Sequence, residues 1–166
     1  MTGLRRFRWL WLSAGIVAAD RATKAAIEAY TDESLRHAIV PGFITLVHSR
    51  NPGIAFGLLA DAQSTWLTAL LIAGSAGVIT LLAWLLAAGR AGGCRTRIGL
   101  ALILGGATGN LIDRLLRGGV TDFFEVRIGS YHWPAFNVAD SAITIGAALV
   151  VFDLLLGHRP HTDAKA

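Results

Sequence analysis

The chain has 166 residues, of which 54% are hydrophobic and 16% charged, and its mean hydropathy is +0.54. This composition is too apolar for an ordinary soluble domain, whose surface must be hydrated. The net charge is +4, but the basic residues flank apolar stretches, so the charge indicates membrane topology and argues against nucleic-acid binding. The composition therefore predicts a membrane protein with no nucleic-acid partner.

Four apolar stretches are each long enough to cross about 30 Å of hydrocarbon as a helix, which takes roughly 20 residues. They cover about residues 9–27, 66–88, 98–116 and 138–156. The sequence between them shows no internal repeat and no flexible linker. We therefore predict an all-α integral membrane protein in which residues 1–166 form a single membrane-embedded domain.

Basic residues lie beside these stretches at three places, residues 5–8, 90–97 and 159–165. Lys and Arg next to a span are retained on the cytoplasmic side of the membrane. Both termini and the turn between the second and third spans are thus predicted to be cytoplasmic, which leaves residues 28–65 and 117–137 extracytoplasmic. Alternatively, the first apolar stretch belongs to a cleaved signal peptide, but its removal would leave three spans and spoil the charge pattern.

The first extracytoplasmic segment contains strand-forming sequence. Residues 39–47 are rich in β-branched and aromatic side chains, and Pro41 and Gly42 interrupt them. Residues 51–53 (NPG) supply a turn. This pattern predicts a small β-sheet at the extracytoplasmic surface of the membrane.

The third and fourth spans have matching signals at their outer ends. Gly118 and Gly119 end the third span. Asn137 is a favourable N-cap for the fourth, and Asp140, three residues later, can return a hydrogen bond as in a capping box. Both helix ends are therefore expected to face each other on the extracytoplasmic side.

Ionisable side chains inside spans cost about 2.5–3.5 kcal/mol at a helix centre on insertion scales, so each one needs a physical reason to be there. Asp20 and Lys24 are four residues apart on one helix face, in the order that favours an ion pair. Asp113 lies near the outer end of its span, where it can pair with Arg114 or reach towards solvent. For Asp20, Lys24 and Asp113 we favour a structural or supporting role over direct catalysis.

Asp122 and Asp140 differ from these acids because both are predicted at the extracytoplasmic surface, where their carboxylates can meet. At a partly dry site one of the two holds a proton while the other can accept one from water. A general acid and a general base of this kind can hydrolyse an amide bond. Spacing alone leaves open the alternatives of an ordinary turn residue at Asp122 and a capping residue at Asp140.

The sequence lacks the patterns of other proteolytic chemistries. None of the histidines forms the H-E-x-x-H spacing of a zinc protease helix, and no Ser lies in a G-x-S-x-G turn. Cys94 lies in a predicted cytoplasmic turn, on the wrong side for an extracytoplasmic site. We therefore expect a site without metal or cofactor, in which the two acids carry out the chemistry.

Five short motifs follow one another over nearly the whole chain. They are residues 20–24 (DRATK), 51–57 (NPGIAFG), 109–114 (GNLIDR), 120–123 (VTDF) and 136–143 (FNVADSAI). They resemble D-x-x-T-K, N-x-G-x-A-F, G-N-x-x-D-R, V-x-D-F and F-N-x-A-D-x-x-I, the patterns of the lipoprotein signal peptidase family, also called signal peptidase II. Arg21 departs from the Gln often found at its position, which leaves any role of Arg21 open.

The resemblance implies an aspartyl endopeptidase of the bacterial cytoplasmic (inner) membrane. It implies a bundle of four transmembrane helices with a small extracytoplasmic β-sheet, an active site at the extracytoplasmic face, and both termini in the cytoplasm. The substrates would be prolipoproteins, cut on the amino-terminal side of a cysteine that carries a diacylglyceryl group. Membrane lipid and globomycin-type inhibitors would be further partners.

The same resemblance implies roles for individual residues. Asp122 and Asp140 would be the catalytic pair. The substrate-binding residues would be Asn51, Asn110, Arg114 and Asn137.

Two other classes of protein remain as alternatives. A small proton-coupled transporter or channel subunit also uses intramembrane acids, but these would be spread across the membrane depth, whereas Asp122 and Asp140 are predicted at one face. A structural subunit, whose charges dock a partner, would tolerate neutral substitutions at both acids.

Overall fold

The computed structural model describes residues 4–52 and 65–156 of the chain. The helices in these ranges are α1 (Leu4–Tyr30), α2 (Thr65–Ala87), α3 (Cys94–Arg117) and α4 (Val138–Leu156). The strands are β1 (Arg36–Val40), β2 (Ile44–Asn51), β3 (Val120–Ile128) and β4 (Tyr131–Phe136). Residues 53–57 of the second motif and the basic cluster at residues 159–165 lie outside the described residues.

Three helices of the described chain are long and apolar enough to cross a membrane, namely Thr68–Ala87, Cys94–Arg117 and Val138–Leu156. They coincide with the second, third and fourth predicted spans. The remaining helix, α1, has 27 residues and therefore the necessary length, but its many charged side chains keep it out of this class. The span formed by α1, and with it the orientation of the termini, stays a prediction.

Helix α3 is the centre of the bundle and contacts α1, α2 and α4. Its glycines allow α4 to approach closely. A Cβ atom on Gly99 would lie 2.6 Å from the carbonyl oxygen of Gly146, and one on Gly106 would overlap the carbonyl oxygen of Ala139. The second contact fixes the first turn of α4, which carries Asp140.

An apolar core fills the end of the bundle where α1 and α3 begin and α2 ends, which we call the far end. Its buried members are Trp9, Leu82, Leu86, Ala91, Ala101 and Leu104. Ser13 adds one buried hydrogen bond here, because its hydroxyl donates to the carbonyl oxygen of Ala101 at 2.8 Å. The far end is therefore an ordinary hydrophobic core with one satisfied polar group.

The four strands form one antiparallel sheet in the order β1-β2-β3-β4, at the opposite end of the bundle, which we call the sheet end. Ile44 of β2 pairs with Val126 of β3, and Asn51 pairs with Val120. The expected sheet is present, but the sequence predicted strands only in the first extracytoplasmic segment, and β3 and β4 come from the second. The Thr, Asp, Glu and Arg residues within residues 120–128 had hidden the strand pattern.

Candidate active site

Asp122 reaches the sheet end through a helix stop followed directly by a strand. Helix α3 ends at Gly118, whose φ of 72° is a left-handed conformation that favours glycine, and the N–H of Gly118 donates to the carbonyl of Arg114 at 3.0 Å. The chain then enters β3, where Asp122 pairs in register with Ser49. The residue is 3% exposed. Asp122 is therefore a buried strand residue and not the turn residue that its spacing had left open.

Asn137 connects the two acids. Its side-chain oxygen accepts the N–H of Asp140 at 2.9 Å, and its own N–H donates to Oδ2 of Asp140 at 3.3 Å, which is the predicted capping box. The side-chain NH₂ of Asn137 donates to Oδ1 of Asp122 at 2.7 Å. One fully buried residue thus bonds both carboxylates at the start of α4, with its side-chain NH₂ on Asp122 and its backbone N–H on Asp140.

Two further amides hold the remaining carboxylate oxygens. Asn110 of α3 donates from Nδ2 to Oδ1 of Asp140 at 2.8 Å. Asn51, the last residue of β2, donates to Oδ2 of Asp122 at 3.4 Å. Every oxygen of the two acids accepts a hydrogen bond from an asparagine, and these four bonds fix the orientation of both carboxylates.

A layer of buried charges lies below the amides. Lys24 is 0% exposed and pairs with Asp20 at 2.8 Å and with Asp113 at 2.7 Å. Its ammonium group also donates to Oδ1 of Asn110 at 3.0 Å, and Asp20 accepts the N–H of Ala139 at 3.0 Å. The expected ion pair between Asp20 and Lys24 is confirmed, and it supports both Asn110 and the first turn of α4.

Two arginines complete this layer. The sequence had proposed Arg114 as a partner for Asp113, but Asp113 pairs instead with Lys24 and with Arg21. Arg114 is about half-buried and donates weakly to the carbonyl of Asn110, at 3.5 Å. Its charge interacts with those of Asp140 and Asp122. Arg114 is therefore a cation close enough for its charge to act on both acids, and Arg21 belongs to the supporting layer.

Electrostatics distinguishes the two acids. Burial and, second to it, the nearby charge of Asp140 together raise the pKa of Asp122 from 3.8 to about 7, against the opposing effect of the hydrogen bonds from Asn137 and Asn51. Asp140 is only partly buried. The pair is therefore arranged to hold one proton near neutral pH, which a general acid and base require.

A second network, which sequence spacing did not predict, ties α1 to the start of β3. Glu28 accepts the hydroxyl of Thr121 at 2.7 Å through Oε1 and pairs with Arg117 at 2.6 Å through Oε2. The carbonyl of Thr121 in turn accepts Nδ2 of Asn137 at 3.3 Å. These partners lie about 90 positions apart in the chain, so no local periodicity points to them.

The structure brings all the residues singled out from the sequence to the sheet end. They are Asp20, Lys24, Asn51, Asn110, Asp113, Arg114, Asp122, Asn137 and Asp140. In residues 4–52 and 65–156 no group of three or more His, Cys, Asp or Glu side chains is placed to hold a metal ion. The arrangement supports proton transfer between two acids at one face of a helix bundle.

Comparison with known proteins gives one consistent result. The family model described as signal peptidase (SPase) II matches residues 12–156. The lipoprotein signal peptidase of Solibacter usitatus is 41% identical over 159 residues, which cover 96% of this chain and 95% of the relative. That of Paraburkholderia phymatum is 45% identical over 151 residues, with 89% and 87% covered.

Two solved structures have the same fold. A bacterial membrane enzyme determined by the in meso method at 2.3 Å resolution superimposes with a TM-score of 0.82 at 26% identity, covering 96% of this chain and 94% of that one. A second, at 1.9 Å resolution, gives a TM-score of 0.79 at 26% identity, covering 90% and 93%.

Proposed function

The chain belongs to the signal peptidase II family, and from this premise we propose that Asp122 and Asp140 are its catalytic pair. The family makes it a peptidase that removes the signal peptide from bacterial prolipoproteins during lipoprotein maturation. The bond cut lies on the amino-terminal side of the diacylglyceryl-modified cysteine. The observation that carries the proposal is that one residue, Asn137, bonds both carboxylates at one end of the bundle, Asp122 through its side-chain NH₂ and Asp140 through its backbone N–H.

The reaction needs one water and one proton shared by the two acids. The ionised carboxylate takes a proton from water as the water oxygen attacks the carbonyl before the modified cysteine, and the protonated acid donates to the carbonyl oxygen. When the tetrahedral intermediate collapses, a proton passes to the cysteine nitrogen and the C–N bond breaks. Because the acids are coupled, the apparent pKa values belong to the pair. The raised pKa of Asp122 supports a pair that carries one shared proton before attack.

The amides and Arg114 have separate parts in this proposal. Asn110 and Asn137 are buried and hydrogen-bonded to the acids, so their main part is to orient the carboxylates. They can contact the substrate only where it lies against the acid pair. Asn51 ends β2 next to Asp122, where a substrate peptide would pass. The cation of Arg114 faces the pair and stabilises negative charge that develops there. Asp20, Lys24 and Asp113 support this arrangement from below.

The chain is an integral membrane protein, and its placement within the membrane is part of the proposal. We assign four spans including α1, with both termini in the cytoplasm and the sheet end at the extracytoplasmic face of the inner membrane. A lipid-anchored substrate diffuses in the bilayer plane, so its scissile bond arrives at headgroup depth, where this arrangement puts the two acids. Globomycin-type inhibitors would bind at the same place, and membrane lipid would surround the bundle.

Cleavage of a diacylglyceryl-modified prolipoprotein by the purified protein in detergent tests the proposal. Asp122→Asn and Asp140→Asn should each lower turnover by about 10²–10⁴-fold or more, because each removes one proton-transfer group. Asp153→Asn is the matched control, since this acid also lies on α4 but bonds Thr96 at the far end. The unlipidated substrate should stay uncut.

Other outcomes point to different conclusions. Normal turnover by either variant would remove that acid from the catalytic pair. A folded wild-type protein that cuts nothing would return weight to the transporter or structural alternatives. Tolerance of both neutral substitutions, with assembly intact, would favour the structural alternative in particular.

A further inference from the structure

An apolar groove of about 380 Å³ lies between the β3–β4 hairpin and the first half of α4. The hairpin wall includes Tyr131, Trp133 and Phe136, and the helix wall includes Asp140, Thr144 and Ile145. Asp140 begins the helix wall, while Thr144 and Ile145 lie one turn further along α4. The groove therefore starts at a proposed catalytic carboxylate and runs away from it along the helix.

The groove continues into the outer face of α4. Ile145 is 56% exposed and Phe152, two turns further on, is 51% exposed. In a membrane-spanning helix, exposed apolar side chains of this kind contact lipid. The groove thus connects the acid pair sideways with the hydrocarbon of the bilayer.

The chemistry of the walls decides what kind of occupant they suit. A peptide backbone in this groove would need hydrogen-bond partners for its N–H and C=O groups. The walls are mostly aliphatic and aromatic, and the hydroxyl of Ser141 in the helix wall already donates to the carbonyl of Asn137 at 2.9 Å. An alkyl chain needs no such partners, so it fits these walls at no polar cost.

Size separates an alkyl chain from the helix of a signal peptide. One helical turn, about 10 Å across and 5.4 Å long, occupies roughly 400 Å³. The whole groove, at about 380 Å³, has the volume of about one such turn. It therefore matches a slender chain extended along it better than the helix of a signal peptide.

We propose that this groove binds one acyl chain of the diacylglyceryl group on the substrate cysteine. The assignment rests on the proposed function, because the modified cysteine follows the scissile bond and its glyceryl group must lie within a few bonds of the acid pair. With Asp140 at the start of the groove, a chain leaving the glyceryl group enters it directly.

The groove should act by orientation more than by affinity. An acyl chain that leaves the bilayer for an apolar groove exchanges one hydrocarbon environment for another, so little transfer free energy is gained. Fixing the chain between Trp133 and Ile145 instead fixes the nearby glyceryl group and the scissile carbonyl relative to the acids. The effect is therefore expected in kcat for long-chain substrates.

Filling the groove tests this proposal. Thr144→Trp places an indole inside it, and Ala148→Trp, one turn further along the same exposed face and outside the groove lining, is the matched control. We expect Thr144→Trp to lower kcat for a dipalmitoylglyceryl substrate by about tenfold or more, the loss typical of a misplaced substrate. The same variant should process a dibutanoylglyceryl substrate at the wild-type rate, and Ala148→Trp should process both normally.

Two outcomes would refute the assignment of an acyl chain to the groove without affecting the proposed catalytic pair. In one, Thr144→Trp processes both substrates like the wild type, and in the other it slows both equally. If the wild-type protein cuts neither substrate, the proposed function fails, and the groove assignment fails with it.

Photo-crosslinking gives a second measurement that does not depend on the folding of Thr144→Trp. A substrate with a diazirine at the end of each acyl chain is bound to the inactive Asp122→Asn protein, irradiated and mapped by mass spectrometry. Labelling of Trp133 or Ile145 above the level of Leu81, an exposed lipid-facing residue of α2, is the expected result. Equal labelling of all three would show that both chains stay in bulk lipid, and it would refute the proposal.

Discussion

The two ends of the helix bundle bury different kinds of side chain. The far end buries Trp9, Leu82, Leu86 and their neighbours around a single hydroxyl. At the sheet end, the fully buried side chains include the charged groups of Asp20, Lys24 and Asp113 and the amide of Asn137. Apolar packing supplies stability without orienting any reactive group, whereas buried charges must be fully partnered and then hold their neighbours in one arrangement.

This contrast indicates a division of labour along α3. Its first half packs Ala101 and Leu104 into the apolar core, and its second half presents Asn110 and Asp113 to the charged layer. The far end should therefore tolerate changes that keep volume, while the sheet end should respond to the loss of a single charge or hydrogen bond.

The largest stability effect is expected from Lys24→Met. The substitution removes the ammonium group from Asp20 and leaves two buried carboxylates close together, which should destabilise the fold by about 3–5 kcal/mol. The matched change at the far end is Leu82→Met, which keeps volume and should cost less than about 1.5 kcal/mol. Unfolding in detergent, followed by tryptophan fluorescence, measures both. Equal losses at the two ends would contradict the division of labour.

Asp122→Asn should change the stability of the fold in the opposite direction to Lys24→Met. It should stabilise the protein, although it should also inactivate it. The pKa of Asp122 is raised from 3.8 to about 7 in the folded protein, so between these values the folded state keeps a proton that the unfolded state has released. Stability is therefore lost as pH rises through this window, and above it the penalty approaches about 4 kcal/mol as an upper limit. Asn carries no such penalty.

The pH dependence makes this second prediction specific. The gain in melting temperature of Asp122→Asn over the wild type should grow from about pH 4 to about pH 8 and level off beyond it. The new amide can still accept from Asn137 but cannot accept from Asn51, which subtracts part of the gain. A gain that is the same at all pH values would show that burial does not disfavour the ionised form of Asp122.

Local physics allowed part of the sheet end to be predicted from the sequence. The ion pair between Asp20 and Lys24 follows from helical spacing, and the capping box between Asn137 and Asp140 follows from the chemistry of a helix start. The helices α2, α3 and α4 follow from length and hydropathy. Each of these features depends on residues within one segment of chain.

The remaining features depend on pairing between distant segments. Strand β3 forms because it pairs with β2, about 70 to 80 positions earlier, which makes Asp122 a strand residue. Arg21 reaches Asp113 across two helices, although its departure from the family pattern had left its role open. No propensity or period in a single sequence encodes such contacts, because tertiary packing creates them.

Gly106→Ala tests the joint between α3 and the first turn of α4. A Cβ there would overlap the carbonyl oxygen of Ala139, a rigid backbone atom, so α4 must shift and stability should fall by about 1–3 kcal/mol. The control is Gly77→Ala in α2, where a Cβ meets no atom within 4 Å, and where Ala should stabilise the helix by up to about 1 kcal/mol.

Measuring turnover distinguishes a role of this contact in positioning Asp140 from a role in packing alone. Because Ala139 precedes Asp140, the shift should also move that carboxylate, and turnover should fall more than the loss of stability explains. Full activity in folded Gly106→Ala, measured well below its melting temperature, would show that the position of Asp140 does not depend on this contact.

The smallest effect compares the loss of one buried hydroxyl at each end. Thr121→Val removes the donor to Glu28, and Ser13→Ala removes the donor to Ala101, so each should cost about 0.5–1.5 kcal/mol.

Of these two residues, only Thr121 is linked to the acids, because its carbonyl accepts from Asn137 and Asp122 follows it in β3. Thr121→Val should therefore lower kcat several-fold, by allowing the start of β3 to move away from α1. Thr121→Ser, which keeps the hydroxyl, should restore it. Ser13→Ala should lose stability but keep its turnover. If Ser13→Ala lost as much turnover as Thr121→Val, the acid pair would depend on overall stability and not on the network that joins Glu28 to Asn137.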